Sequence, residues 1–310
     1  MAVIETRVLQ PVTPADLVTA TRLHDEAETV DGHASLSDAV WRDLERPVAP
    51  GSAGVVATDD DRPVGFAYVY RSDNVSPPHW EAGVVTHPHH RGGEVERALL
   101  ERVVDHVSGA GGGLVVLWVF DPDDGADRAA EQSGFRHQRD LYQQRVALPL
   151  VEVPSWPAGI EVRPFVPGRD DAAWLEVNNR AFAGHPEQGG WVEDTLQRRM
   201  AEPWFDPKGF LLAFDADGLA GFCWTKVHPA TSTDPELGEI FVIGVDPSRQ
   251  GTGLGRALVV GGLASLAERG VTTGMLFVDA DNEEALRLYA SLGFTTSRVD
   301  RAYEREVSVD

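Results

Sequence analysis

The chain has 310 residues, 42% hydrophobic and 25% charged, with 27 basic against 49 acidic side chains and a formal net charge of −22. That balance is globular rather than disordered, and the length admits two domains at roughly 100–200 residues each. The acidity excludes a partner bound through a phosphate backbone and an anionic membrane surface, and it suits a cationic small substrate.

One cysteine, Cys223, leaves no internal disulfide and no cysteine metal cluster. The stretch Met1-Ala2-Val3-Ile4-Glu5-Thr6 lacks the basic-then-apolar order of a signal peptide. No apolar run approaches the ~18 residues of a membrane span. A soluble, cytoplasmic protein is expected, with no nucleic-acid and no membrane partner, and a monomer.

In chain order, a strand is expected over 4–8 and a helical stretch over 35–44. Four short patterns of the first half then return in the second. Ile4-Glu5-Thr6-Arg7-Val8 returns as Ile160-Glu161-Val162-Arg163-Pro164, and Val64-Gly65-Phe66-Ala67 as Ala220-Gly221-Phe222-Cys223. Val85-Thr86-His87-Pro88 returns as Gly244-Val245-Asp246-Pro247, and Ser133-Gly134-Phe135 as Leu292-Gly293-Phe294. The spacing stays at about 156–159 residues, which marks a duplicated domain. The expected division is residues 1–150, a linker over 151–159 containing Pro154, Pro157 and Gly159, and residues 160–310.

The second half reads as a strand over 160–165, helices over 169–182 and 191–201, and strands over 209–215, 219–228 and 236–245. Asp217-Gly218 is a hairpin signal between the first two of those three strands. A helix over 253–269 carries Leu254, Leu258 and Leu266 on one face. A strand over 274–279 follows, then a helix over 282–292 with Asn282 as N-cap and Gly293 as its stop, then a strand over 295–307. The fold class is α/β (α+β), a mixed sheet with helices on both faces, present twice.

The chemistry concentrates where a strand ends, a tight loop follows and a long helix begins: Val245-Asp246-Pro247-Ser248-Arg249-Gln250-Gly251-Thr252-Gly253-Leu254-Gly255-Arg256-Ala257. Gly251, Gly253 and Gly255 let backbone N–H groups point outward. The helix N-terminus adds about half a positive charge, so the loop suits a phosphate or pyrophosphate. A glycine-rich turn without ligand is the plain alternative. The dinucleotide pattern G-x-G-x-x-G and the P-loop G-K-[ST] both fail here. In the first half the matching loop is Arg91-Gly92-Gly93-Glu94-Val95-Glu96, with acids where the later glycines should stand, so one such site is expected per chain. His89 and His90 lack further ligands at a metal-binding spacing and read as loop histidines, and no metal is expected.

Gln250-Gly251-Thr252-Gly253-Leu254-Gly255 resembles the Q/R-x-x-G-x-G/A motif of the GCN5-related N-acetyltransferases (GNAT). Asn282…Ala285…Tyr289…Leu292-Gly293-Phe294 resembles the second signature of that superfamily. The tandem arrangement further resembles the mycothiol synthase family. The stretches 178–191, 204–207, 224–229 and 237–242 are similar to that family's sequence, and the first half matches chiefly at Val30-Asp31-Gly32.

The resemblance implies two tandem GNAT domains, each a mixed, mostly antiparallel sheet flanked by helices, the first with a degenerate acyl-CoA loop that helps form the substrate cleft. It implies acetyl-CoA as acetyl donor, held by Ile243, Gly244, Val245, Gln250, Gly251, Thr252, Gly253, Leu254, Gly255, Arg256, Asn282, Glu283, Glu284, Ala285, Leu286 and Arg287. Glu239 is implied as general base and substrate contact, Tyr289 as general acid for the leaving thiolate, and Asp38, Glu187 and Lys226 as substrate contacts. Each has a plainer reading: a strand carboxylate in a salt bridge for Glu239, core packing for Tyr289, a strand-end charge for Lys226, an exposed helix acid for Asp38. Phe277 stands where relatives carry a substrate-contacting Tyr, so that hydroxyl contact is lost. The implied reaction acetylates the cysteinyl amine of a cysteinyl-glucosaminyl-inositol, giving mycothiol and CoA. Residue chemistry by itself stops at an acetyl-CoA-dependent amine acetyltransferase. Another small amine or a peptide N-terminus as acceptor, or a non-catalytic acyl-CoA sensor, are the alternatives.

Overall fold

The computed structural model describes residues 4–46, 51–72, 78–183, 188–231 and 234–309, the side chain of Asp38 excepted. The chain divides into two compact units, Met1–Tyr142 with Arg298–Asp310, and Gln143–Ser297. The first opens with β1 (Glu5–Leu9), α1 (Pro14–Asp31), α2 (Asp38–Leu44), β2 (Ala53–Asp59) and β3 (Arg62–Ser72). It continues with β4 (His79–Thr86), α3 (Glu94–Gly109), β5 (Gly113–Phe120), α4 (Asp124–Gln132) and most of β6 (Arg136–Ala147). The second holds β7 (Glu161–Pro164), α5 (Asp171–Ala181), α6 (Glu193–Met200), β8 (Phe210–Asp215) and β9 (Gly218–His228). It continues with β10 (Leu237–Val245), α7 (Leu254–Glu268), β11 (Thr273–Asp279) and α8 (Glu283–Ser291), and β12 (Thr295–Val307) leads back to the first unit.

In the first unit β1 to β5 stand in chain order, all antiparallel except the β4–β5 pair. In the second, β7 to β11 repeat this, with β10–β11 the parallel pair. No helix among the described residues is long and apolar enough to cross a membrane.

The first unit also takes in Arg298–Asp310, the end of the second sequence half. β12 pairs antiparallel with β5, from Asp300 opposite Phe120 to Val307 opposite Gly113, inside the first unit. In the second unit, Leu148 N donates to Thr272 O beside β11. A Cβ on Gly274 of β11 would lie 3.2 Å from Val146, so the glycine makes room for the incoming strand. β6 and β12, of 12 and 13 residues, are long enough to begin in one unit and end in the other. Strand pairing is non-local, and a repeat of local patterns does not encode which edge the last strand will join.

Two different packings cover the faces of the second sheet. On one, α5 and α6 bury an aromatic core around Trp174, whose ring lies edge-on to Trp191, Phe210, Phe222 and Trp224 at 5.4–5.8 Å. On the other, α7 lies close because Gly262 has no side chain. A Cβ there would be 2.5 Å from Cys223 Sγ. α8 begins as its local signals predict, with Asn282 Oδ1 accepting from Ala285 N at 3.1 Å.

Candidate active site

Lys226 of β9 stands directly opposite Glu239 of β10, and His228 opposite Leu237. Opposite residues of an antiparallel pair share a face, as do alternate residues of one strand. Glu239, Lys226, His228 and Trp224 therefore lie on the α5/α6 face. Trp204 adds an aromatic wall, 5.0 Å from Phe241 and 5.7 Å from Trp224 between ring centroids. Lys226 Nζ rests 5.3 Å over the Trp204 ring and makes no ion pair among the described residues.

Glu239 is only 7% exposed. Its Oε2 accepts a 2.6 Å hydrogen bond from Nε2 of His228, and Oε1 has no partner among the described residues. A buried carboxylate with one oxygen held and one free can take a proton from a group arriving on this face.

Just past Glu239 the sheet splits. The β10–β11 ladder runs only from Leu237 opposite Thr273 to Ile240 opposite Leu276. The β9–β10 register shifts between Ile240 and Val242, which makes Phe241 a bulge that bends β10. Ile243, Gly244 and Val245 stay paired with β9, while their other edge runs beyond the β11 ladder.

That open edge leads into the glycine loop. Asp246 caps the turn Pro247–Arg249, accepting from Ser248 N at 3.0 Å and Ser248 Oγ at 2.6 Å. Arg180 Nη2 donates to its second oxygen at 2.6 Å. The Ser248 hydroxyl bond foremost, then the Ser248 amide and Arg180, hold this carboxyl down at about 2. Gly251 and Gly253 have φ of +74° and +82°, where glycine is favoured. A Cβ on either would meet nothing within 4 Å. Gly253 is the N-cap of α7 and supplies no side-chain cap, so the first-turn N–H groups stay available to an anion. Gln250 and Thr252 are exposed beside them, and Gly255 is half-buried. Leu254 is buried in the core, so only its backbone belongs to the loop surface. Arg256 is held by Glu152 at 2.9 and 2.6 Å and donates to Ser291 Oγ at 2.7 Å.

Cys223 points to the opposite face, toward α7. Tyr289 of α8 lies near it, 7% exposed, its ring 5.6 Å from Phe294. Burial first, and the Cys223 thiol second, push the Tyr289 hydroxyl up to about 12. It keeps its proton at neutral pH and can donate it. Burial pushes the Cys223 thiol up to about 12 as well, so it is no thiolate at neutral pH. Asn282, Glu283, Glu284 and Arg287 lie exposed at the start of α8, with Ala285 and Leu286 half-buried. Arg287 reaches back to Glu283 at 3.3 Å.

The first unit keeps the split but closes the loop. Its parallel ladder is also short, from Trp80 opposite Val115 to Ala82 opposite Leu117. Glu96 turns back so that its Oε2 accepts from Gly93 N at 2.9 Å. Burial raises the Glu96 carboxyl above its usual range. Asp31 holds Arg91 through two 2.6 Å bonds. α4 rests on the turn: a Cβ on Gly93 would lie 2.8 Å from Gly125 O, and one on Gly125 the same distance from Gly92 Cα.

The acetyltransferase (GNAT) family model matches the chain twice, at residues 19–135 and 173–294. Over 295 residues the chain is 44% identical to the mycothiol acetyltransferase of Thermobispora bispora, covering 94% of this chain and 97% of that one. It is 41% identical over 302 residues to the mycothiol acetyltransferase of Streptomyces coelicolor, covering 96% and 94%. The chain belongs to the mycothiol acetyltransferase family. It is thus a tandem GNAT acetyltransferase. A crystal structure of a GCN5-related N-acetyltransferase from Sphaerobacter thermophilus superposes with a TM-score of 0.75 at 25% identity, covering 99% and 97% of the two chains. A tandem GNAT protein of the clavulanic acid pathway shares the fold alone, with a TM-score of 0.72 at 18% identity, covering 99% and 100%.

Of the residues that the resemblance to this family singled out, Glu239 and Lys226 meet on one face, and Tyr289 approaches from the other. Asp38 begins α2, with its side chain outside what is described, and Glu187 lies outside the described residues. His228 was missed, although its place two residues after Lys226 on an expected strand put it on the same face. Trp204 and Phe241 were missed as site residues because only the bulge and the ring contacts bring them beside Lys226.

Proposed function

We propose that this chain transfers the acetyl group of acetyl-CoA to the cysteinyl amine of a cysteinyl-glucosaminyl-inositol, giving mycothiol and CoA. The observation that carries the reading is Glu239, a buried carboxylate at the mouth of the split, opposite Lys226, whose Oε1 has no partner among the described residues. Acetyl-CoA suits the second unit because Gly251 and Gly253 leave room where phosphate must approach backbone. Gln250, Thr252, Gly255, Arg256 and the Leu254 amide surround that place. The edge Ile243, Gly244 and Val245 and the first turn of α8, from Asn282 to Arg287, run alongside.

The amine delivers its proton to Glu239 Oε1 and its nitrogen attacks the thioester carbonyl. The C–N bond forms, the C–S bond breaks, and the Tyr289 hydroxyl supplies a proton to the departing thiolate. Lys226 serves the hydroxyl-rich tail. The test is comparative: kcat/KM for the cysteinyl-glucosaminyl-inositol should exceed that for free cysteine at least tenfold, or about 1.4 kcal/mol of binding realised in the transition state. Equal values would reduce the reading to a generic amine acetyltransferase.

A further inference from the structure

His228 has no part in the mechanism above, yet it makes the one hydrogen bond to Glu239 among the described residues. We infer that His228 is the positioning residue of the base: its Nε2–H holds Oε2 and so turns Oε1 toward the incoming amine. The inference rests on Glu239 being the base.

Three observations carry it. The contact is short, 2.6 Å, between residues on one face of adjacent strands. The Glu239 side chain is 9% exposed and that of His228 31%, so the donor fixes a carboxylate that water scarcely reaches. The Lys226 ammonium on this face is turned onto the Trp204 ring instead. A carboxylate held at both oxygens would be blocked, and one held at neither would rotate. Held among the described residues at Oε2 alone, it presents one oxygen in one direction, which is the pre-organisation a general base requires.

The test is a double-mutant cycle in the full chain, read as release of CoA thiol with whichever amine the parent acetylates. His228→Ala should lower kcat about tenfold or more while KM for acetyl-CoA stays within twofold. His228→Gln, whose side-chain N–H can take the place of Nε2–H, should recover most of that loss. In a Glu239→Gln background, His228→Ala should cost nothing further, because the group it acts through is gone. Additive losses, or a His228→Gln chain as slow as His228→Ala, would overturn the role of His228 alone. A Glu239→Gln chain at full rate would instead remove the base assignment of the proposed function.

Discussion

Gly253→Ala separates strain in the loop from loss of its anion cradle. Gly253 sits at φ +82° with nothing within 4 Å of an added Cβ. The substitution therefore meets no steric clash, only the left-handed backbone penalty of about 1–2 kcal/mol. In a unit of this size that lowers Tm by only a few degrees. The new methyl would, however, stand where phosphate must approach the amides of α7. We expect Kd for acetyl-CoA to rise at least tenfold, about 1.4 kcal/mol. Gly262→Ala is the contrast. Its Cβ would lie 2.5 Å from Cys223 Sγ and 2.9 Å from Ile240 Cδ1, both buried in the sheet. Overpacking costs about 1–3 kcal/mol, partly offset by the ~1 kcal/mol helix propensity gained over glycine. Gly262→Ala should thus cost about 0–2 kcal/mol, a Tm loss no larger than that of Gly253→Ala, while leaving Kd within twofold. Calorimetric titration paired with thermal unfolding reads both quantities. A Gly253→Ala chain that binds acetyl-CoA as tightly as the parent would refute the cradle.

Further outcomes follow from the same geometry. Glu239→Gln should cut turnover about 10²–10³-fold at neutral pH with acetyl-CoA affinity unchanged, measured by thiol release and titration. Tyr289→Phe should lower kcat by on the order of 10–10²-fold, and because the hydroxyl is pushed up to about 12, Tyr289 should add no alkaline fall in rate below about pH 10. The Asp246 carboxyl is held down at about 2, so its contribution is present above about pH 4 and is lost as pH falls toward 2. Asp246→Asn should cost about 2 kcal/mol at pH 7, and the gap to the parent should close between pH 4 and pH 2 in denaturant titrations.

What the sequence made legible was local. The N-cap Asn282, the stop Gly293 and the turn at Gly251 and Gly253 are set by a few neighbouring residues, and all appear where spacing places them. The partner of Asp246 was not legible, because Arg180 lies 66 residues away on α5. The face shared by Lys226, His228 and Glu239 needed the β9–β10 register, and the bulge at Phe241 shifts that register without any glycine or proline to announce it. The place of the last strand was hidden for the same reason: only tertiary pairing assigns β12 to β5.

Acetyl-CoA is expected to bind in the second repeat alone. The first repeat spends its loop amide on Glu96 and lets α4 rest on Gly92 and Gly93, whereas the second leaves Gly251 and Gly253 open. The most direct test is the stoichiometry of acetyl-CoA binding to the intact chain by titration calorimetry. One molecule per chain is the predicted result, and two would contradict it.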